Sequence, residues 1–234
     1  MMRVTYLGHS GFFLELEDAQ FLFDYNTGGL PKIDPEKKLF VFVSHRHHDH
    51  YNPEILNLKR KGLTNRIWYL FSEDVPVPDD QEQVIRLAAE EEKTVEGVRV
   101  RALPSTDEGV AFWIEYHGKV IYHAGDLNWW HWEGESESYN TQMKVDYQKS
   151  IGTLPVQPIH VAFVPADLRL GEQYVWGLDY FMRHTDTMQV FPMHFWGEYE
   201  VFDRLIQEPC TAEYRSRIQM IQKEGQMFDI QSQT

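Results

Sequence analysis

Cysteine is almost absent from this chain, with Cys210 alone among 234 residues. One thiol cannot close an internal disulfide, so a disulfide scaffold is excluded and a reducing, cytoplasmic setting is expected. Long apolar runs are missing as well. The longest, Leu39–Val43, Ile67–Phe71 and Val110–Ile114, have five residues each, far short of the roughly 20 that a membrane span needs. The opening MMRVTYLG lacks the apolar stretch of a secretory leader. Basic residues are scarce: 22 Lys and Arg against 36 Asp and Glu leave a formal charge of −14. That balance disfavours non-specific nucleic-acid binding, which depends on neutralising phosphates. The clusters Lys37-Lys38 and Lys59-Arg60-Lys61 read as solvated loop charge. A small-molecule substrate is therefore the expected partner, without nucleic acid or membrane. The oligomeric state is not legible.

Aromatic residues, by contrast, make up 14% of the chain, enough for a large core and too many for a disordered one. The length suits one domain over residues 1–234, or two intimately joined halves. Val4, Tyr6, Phe12, Leu14 and Leu16 alternate with a period of two around a Gly8–Gly11 turn. Leu39–Ser44 reads as a strand buried on both faces, and Asn52-Pro53-Glu54 as a helix start. Further strands are expected at Arg66–Phe71, Val95–Leu103, Gly109–Tyr116, Lys119–His123, His160–Val164 and Gln189–Met193, with His117-Gly118 as a tight hairpin turn. Helices are expected over Asp79–Glu92, Tyr139–Ile151, Tyr174–His184 and Glu213–Lys223, and a last strand at Met227–Ile230. Two sheets with helices outside, an α/β layered fold, accommodate this order.

Histidine placement carries the chemistry. Residues 44–50 read Ser-His-Arg-His-His-Asp-His, directly after a buried strand. Alternate side chains of an extended segment share a face, so His45 and His47 point one way, and the loop turns Asp49 and His50 toward a second point. Imidazole and carboxylate together suit zinc, iron or manganese.

This segment resembles the signature of the metallo-β-lactamase superfamily. Tyr6-Leu7-Gly8-His9-Ser10-Gly11-Phe12, Leu22-Phe23-Asp24, Ile121-Tyr122-His123-Ala124-Gly125-Asp126 and Pro192-Met193-His194 resemble motifs of its ascorbate-6-phosphate lactonase-like branch. The resemblance spans about residues 3–197 and implies a four-layered αββα sandwich with metals at one edge. It implies one or two divalent ions, with zinc first and manganese or iron as alternatives. His45 and His47 would serve one metal, Asp49, His50 and His194 the other, and Asp126 would bridge them.

One ligand of that pattern is missing. No histidine lies between His50 and His117, and Pro104-Ser105-Thr106-Asp107-Glu108-Gly109 stands where the third histidine of the first site belongs. Three accounts are open. Asp107, Thr106 or Ser105 supplies an oxygen; a single metal is held by Asp49, His50, Asp126 and His194; or the site has decayed into a binding protein.

The expected reaction is hydrolysis of a small-molecule ester, lactone, amide or phosphodiester by metal-activated hydroxide. Asp49 would both ligate metal and orient the nucleophile. A nuclease or phosphodiesterase is the enzymatic alternative, and a metal- or ligand-binding relic the non-enzymatic one. His9 either approaches the site or serves as a hydrogen-bonded turn residue. Trp129 and Trp130 follow the Asp126 motif, and Trp196 follows His194. These rings either pack on the body or line a substrate pocket.

Overall fold

The computed structural model describes residues 2–59, 61–78 and 84–231. It is an α/β fold with two mixed β-sheets and few helices. The chain divides into two compact units, residues 1–87 with 222–234, and residues 88–221.

The first unit holds β1 (Met2–Gly8), β2 (Gly11–Glu15), β3 (Ala19–Phe23), β4 (Lys38–Val43), β5 (Ile67–Ser72) and β6 (Val84–Leu87). A C-terminal strand, Met227–Ile230, pairs antiparallel with β1 at the sheet edge. From β1 to β3 the sheet is antiparallel, and from β3 to β6 it is parallel. The apolar run at Leu39–Val43 is explained by β4 being buried on both faces. Leu39, Val41 and Val43 join Tyr69, Phe71, Ile55 and Leu56 in one core. Phe40 and Phe42, on the opposite face, stack on Phe21 and Phe23 with centroids 5.3 and 5.2 Å apart. Each such fully buried phenyl contributes about 1.5–3 kcal/mol. The helix start at Asn52 is a 3-10 turn, Pro53–Asn57, capped by the Asn52 side chain accepting from the Glu54 N–H.

The second unit holds β7 (Glu92–Val95), β8 (Val98–Pro104), β9 (Val110–Tyr116), β10 (Lys119–His123), β11 (Val161–Pro165) and β12 (Val190–Met193). Strands β7 to β10 form an antiparallel meander, and β10, β11 and β12 run parallel. His117 and Gly118 both have positive φ, 47° and 71°, the combination a type I′ hairpin turn requires. Its helices are α1 (Glu137–Ile151), α2 (Trp176–His184) and α3 (Glu200–Gln207). Ser136 caps α1, accepting from the Tyr139 N–H, and the Tyr147 hydroxyl donates to the Gly177 carbonyl to tie α1 to α2. Glycine at 177 allows this close approach, because a Cβ there would lie 1.9 Å from Asn128 Oδ1.

Two expectations are corrected. Asp79–Glu92 is not one helix. Residues 79–83 lie outside the described residues, Val84–Leu87 is β6 and Glu92 opens β7. The apolar cluster Val84-Ile85-Leu87 is satisfied by parallel pairing with Tyr69–Ser72 of β5, so tertiary pairing overrides a short helical spacing. Glu213–Lys223 is likewise not a helix. It holds a 3-10 turn, Arg215–Arg217, and then extended chain bridged at Ile218 to Val190. The helix of this region is α3, which precedes it.

Candidate metal centre

In the first unit, the parallel strands β3 and β4 run in register, Phe23 beside Phe42. Their carboxyl ends therefore release Asp24 and Ser44-His45 at one edge, where α/β sheets characteristically place their ligands. Asp24 is fully buried. Its Oδ1 accepts from the Ser44 N–H at 2.7 Å, and its Oδ2 accepts from the Ser44 hydroxyl at 2.5 Å and from His50 Nδ1 at 2.7 Å. With Nδ1–H donating to Asp24, the lone pair of His50 lies on Nε2. Metal-bound histidines are typically held in this way, with the second nitrogen on a carboxylate.

His45 is buried, its Nδ1 3.0 Å from the Ser44 hydroxyl and its Nε2 3.0 Å from His47 Nδ1. The latter spacing suits a hydrogen bond. It is also close to the roughly 3.3 Å between two nitrogens that share a tetrahedral zinc. Ligand atoms of His9, Asp49 and His50 lie within 4.8 Å of one another, as do nitrogens of His45 and His50. His9 sits at φ 48° in the β1–β2 turn and brings Nε2 within 3.2 Å of Asp49 Oδ2. Burial opposes ionisation of Asp49, but the His9 hydrogen bond and the neighbouring His50 outweigh it and hold the carboxyl well below its usual range.

The second unit repeats the device. Strands β10, β11 and β12 run parallel, and β8 ends at the same edge. Asp126, Asp167, His194 and Asp107 follow the carboxyl ends of these four strands. His194 Nδ1 lies 2.9 Å from Asp167 Oδ2, and its Nε2 lies 3.4 Å from Asp126 Oδ1. Asp167 is fully buried and is also gripped by the Arg169 guanidinium. Burial raises the Asp167 pKa, while hydrogen bonds from His194 and Arg169 bring it down to about 2. His194 and Trp196 hold left-handed φ values of 61° and 53°. Such strain in non-glycine residues concentrates at functional sites.

A carboxylate oxygen of the exposed Asp107 lies within 4.8 Å of one of Asp126. The Thr106 hydroxyl is committed elsewhere, donating to the Asn128 carbonyl at 2.6 Å and accepting from the Asn128 N–H at 3.0 Å. The Ser105 hydroxyl accepts from the Asp107 N–H. Of the three oxygen candidates in this segment, Asp107 offers a carboxylate near that of Asp126, while the Thr106 hydroxyl is taken up by the Asn128 backbone. Trp130 donates from its indole to the Asp126 carbonyl, and its ring meets His194 at 5.4 Å. The Trp196 ring lies 5.6 Å from that of His194. Trp129 instead packs against Trp176 and Tyr180. His123 is buried, with Nδ1 accepting from the Gly125 N–H that precedes Asp126.

Asp167 was not legible as a site residue. Its one sequence signal is a charged residue just after the apolar strand Val161–Pro165. Asp24 lies in a quoted motif, but its contact with His50 joins residues 26 apart. Each unit thus presents imidazole and carboxylate donors, with one histidine braced by a buried carboxylate. This donor chemistry fits a divalent metal of the zinc class.

A family model described as a β-lactamase superfamily domain matches residues 3–146. The chain belongs to that superfamily. Among curated proteins, it is 39% identical over 67 residues to a UPF0173 metal-dependent hydrolase of Carboxydothermus hydrogenoformans, covering 27% of this chain and 30% of that one. It is 27% identical over 219 residues to another of Symbiobacterium thermophilum, covering 86% of each. The chain spans less than two thirds of the first three such relatives: 30%, 64% and 62% of their lengths. Its fold matches that of Igni18, a metallo hydrolase from Ignicoccus hospitalis, with a TM-score of 0.64 and 17% identity over 98% of this chain and 99% of that one. No described helix is long and apolar enough to cross a membrane.

Proposed function

We propose that this chain is a metal-dependent hydrolase of a small-molecule ester, lactone, amide or phosphodiester. The observation that carries the reading is the pair of braced histidines, His50 on Asp24 and His194 on Asp167, at the carboxyl ends of parallel strands. Buried carboxylates that fix an imidazole tautomer are what a metal ligand needs and what a merely solvated histidine does not. The relatives named as metal-dependent hydrolases support the same reading.

The ligand roles follow the family motif. By that motif His45 and His47 would hold one metal and Asp49, His50 and His194 the other, Asp126 would serve both, and Asp107 would take the place of the missing histidine. Zinc is the first metal to test, with manganese or iron favoured by an added oxygen ligand. The chemistry such an ion supplies is a lowered pKa for water and polarisation of the scissile bond. Asp49, held ionised by His9, accepts a hydrogen bond from the attacking water and orients it. Trp130 and Trp196, beside His194, flank the substrate, whereas Trp129 packs on Trp176 and Tyr180. The ascorbate-6-phosphate lactonase-like motifs make lactones the first class to assay. The single Cys210 suits a cytoplasmic enzyme.

Asp49→Ala and His50→Ala test the assignment. Each should lower bound metal and abolish turnover on a panel of lactones, esters, amides and phosphodiesters. Full metal content with a full rate in either variant would refute it.

A further inference from the structure

The second unit has a cavity of about 470 Å³ between the loop that follows Asp126 and the helices α1 and α2. Its walls include Trp129, His131 and Trp176, and its carboxylates are Glu133, Glu135 and Glu137. The rings do not stack. Trp129 and Trp176 meet at 62° with centroids 5.3 Å apart, and His131 meets Trp176 at 60° and 4.9 Å. Rings inclined in this way meet edge to face and form an aromatic corner in the wall of the cavity. Trp176 keeps 37% of its surface exposed, so part of that corner remains open to a ligand.

We propose that this cavity binds an organic ammonium cation, such as a quaternary amine or a protonated alkylamine. Three features of the cavity select this class. Aromatic faces carry negative charge density and attract weakly hydrated cations, most strongly from tryptophan. The three glutamates add a negative field that repels anions and penalises a neutral ligand less than it rewards a positive one. The volume matches a small organic molecule rather than a bare metal ion, and tryptophan rings are not metal ligands. A cation already rests on one wall, because the Lys144 ammonium lies 5.3 Å from the centre of the Trp129 ring. Lys144 is exposed on a flexible four-carbon stem, so the protein's own ammonium occupies the place a ligand ammonium would take. The inference goes beyond the hydrolase reading and does not depend on it: the cavity lies wholly within the second unit, and none of its residues is a proposed metal ligand.

The test is a calorimetric and tryptophan-fluorescence titration of the full chain with choline, against its neutral isostere 3,3-dimethyl-1-butanol. Choline should bind saturably at one site and at least about tenfold more tightly than the isostere. Trp176→Ala should weaken choline by about tenfold, and Lys144→Gln should strengthen it by removing the internal competitor. Should Trp176→Ala fail to fold by circular dichroism, Glu133→Gln with Glu135→Gln serves in its place. That pair alters only exposed carboxylates and should weaken choline several-fold. Absence of saturable choline binding, equal binding of the isostere, or weaker binding by Lys144→Gln would each overturn the proposal. Repeating the titration after chelator treatment should leave the choline affinity unchanged, which separates this site from any failure of the metal reading.

Discussion

Asp24→Asn isolates the bracing of His50 from every other property of the site. The substitution keeps shape and volume but replaces one carboxylate oxygen with an amide NH2. The backbone N–H of Ser44 donates to Oδ1 at 2.7 Å and cannot turn away, so the asparagine oxygen must stay there. Its NH2 then faces the Ser44 hydroxyl and His50 Nδ1, where Asp24 Oδ2 accepted at 2.5 and 2.7 Å. A hydroxyl can rotate to accept. His50 can accept only by moving its proton to Nε2, the nitrogen meant for metal. The metal-free fold should therefore lose only the charge-assisted part of these bonds, about 1–2 kcal/mol, while metal affinity falls by about 10–100-fold. Asp24→Ala should behave differently. It strands three buried donors, with a loss of about 3–5 kcal/mol. Urea unfolding of chelated protein measures the first quantity, competition against a chromogenic zinc chelator the second, and 15N shifts of the imidazole report the tautomer. Wild-type metal affinity in Asp24→Asn, with the His50 proton still on Nδ1, would refute the reasoning.

Gly177→Ala should destabilise the protein by about 1–3 kcal/mol in urea unfolding, since its methyl would meet Asn128 Oδ1 at 1.9 Å. Adding Asn128→Ala to it should recover part of that loss, and a neutral Gly177→Ala would show that Asn128 yields to the added methyl at no cost. Asp167 has a folded pKa near 2 against an ordinary 3.8. Its contribution is therefore present above about pH 4 and is lost as pH falls through about 2; the shift corresponds to about 2 kcal/mol. Asp167→Asn should flatten the acid limb of the stability–pH profile of the metal-free protein, and an unchanged limb would contradict the pairing with Arg169 and His194.

The strongest local signals survived in the structure because each rests on a single physical cause. The uninterrupted Leu39–Val43 run is a strand with no polar face to show, since both of its faces are buried. His117-Gly118 is a turn that needs two positive φ values, and it adopts them. The residues 44–50 cluster gathers its donors within one loop, so its own spacing brings them together. What could not be read depends on contacts distant in sequence. Val84–Leu87 becomes a strand because β5 offers it a parallel partner, a contact its own spacing does not announce. The strand bridge at Ile218 likewise displaces a helical expectation. Asp24 and Asp167 reach His50 and His194 across 26 and 27 residues, so their bracing role appears only once the strands are in register. Asp107 and Thr106 are neighbours in the sequence, and only the fold commits the Thr106 hydroxyl to both backbone groups of Asn128.

The central claim is that these donors hold metal. The most direct test is elemental mass spectrometry of protein purified without chelator or polyhistidine tag. About one or two equivalents of a divalent ion are predicted. Two equivalents that fall to one in Asp107→Ala would identify Asp107 as the oxygen ligand that replaces the missing histidine. No bound metal, with none taken up on titration, would contradict the account.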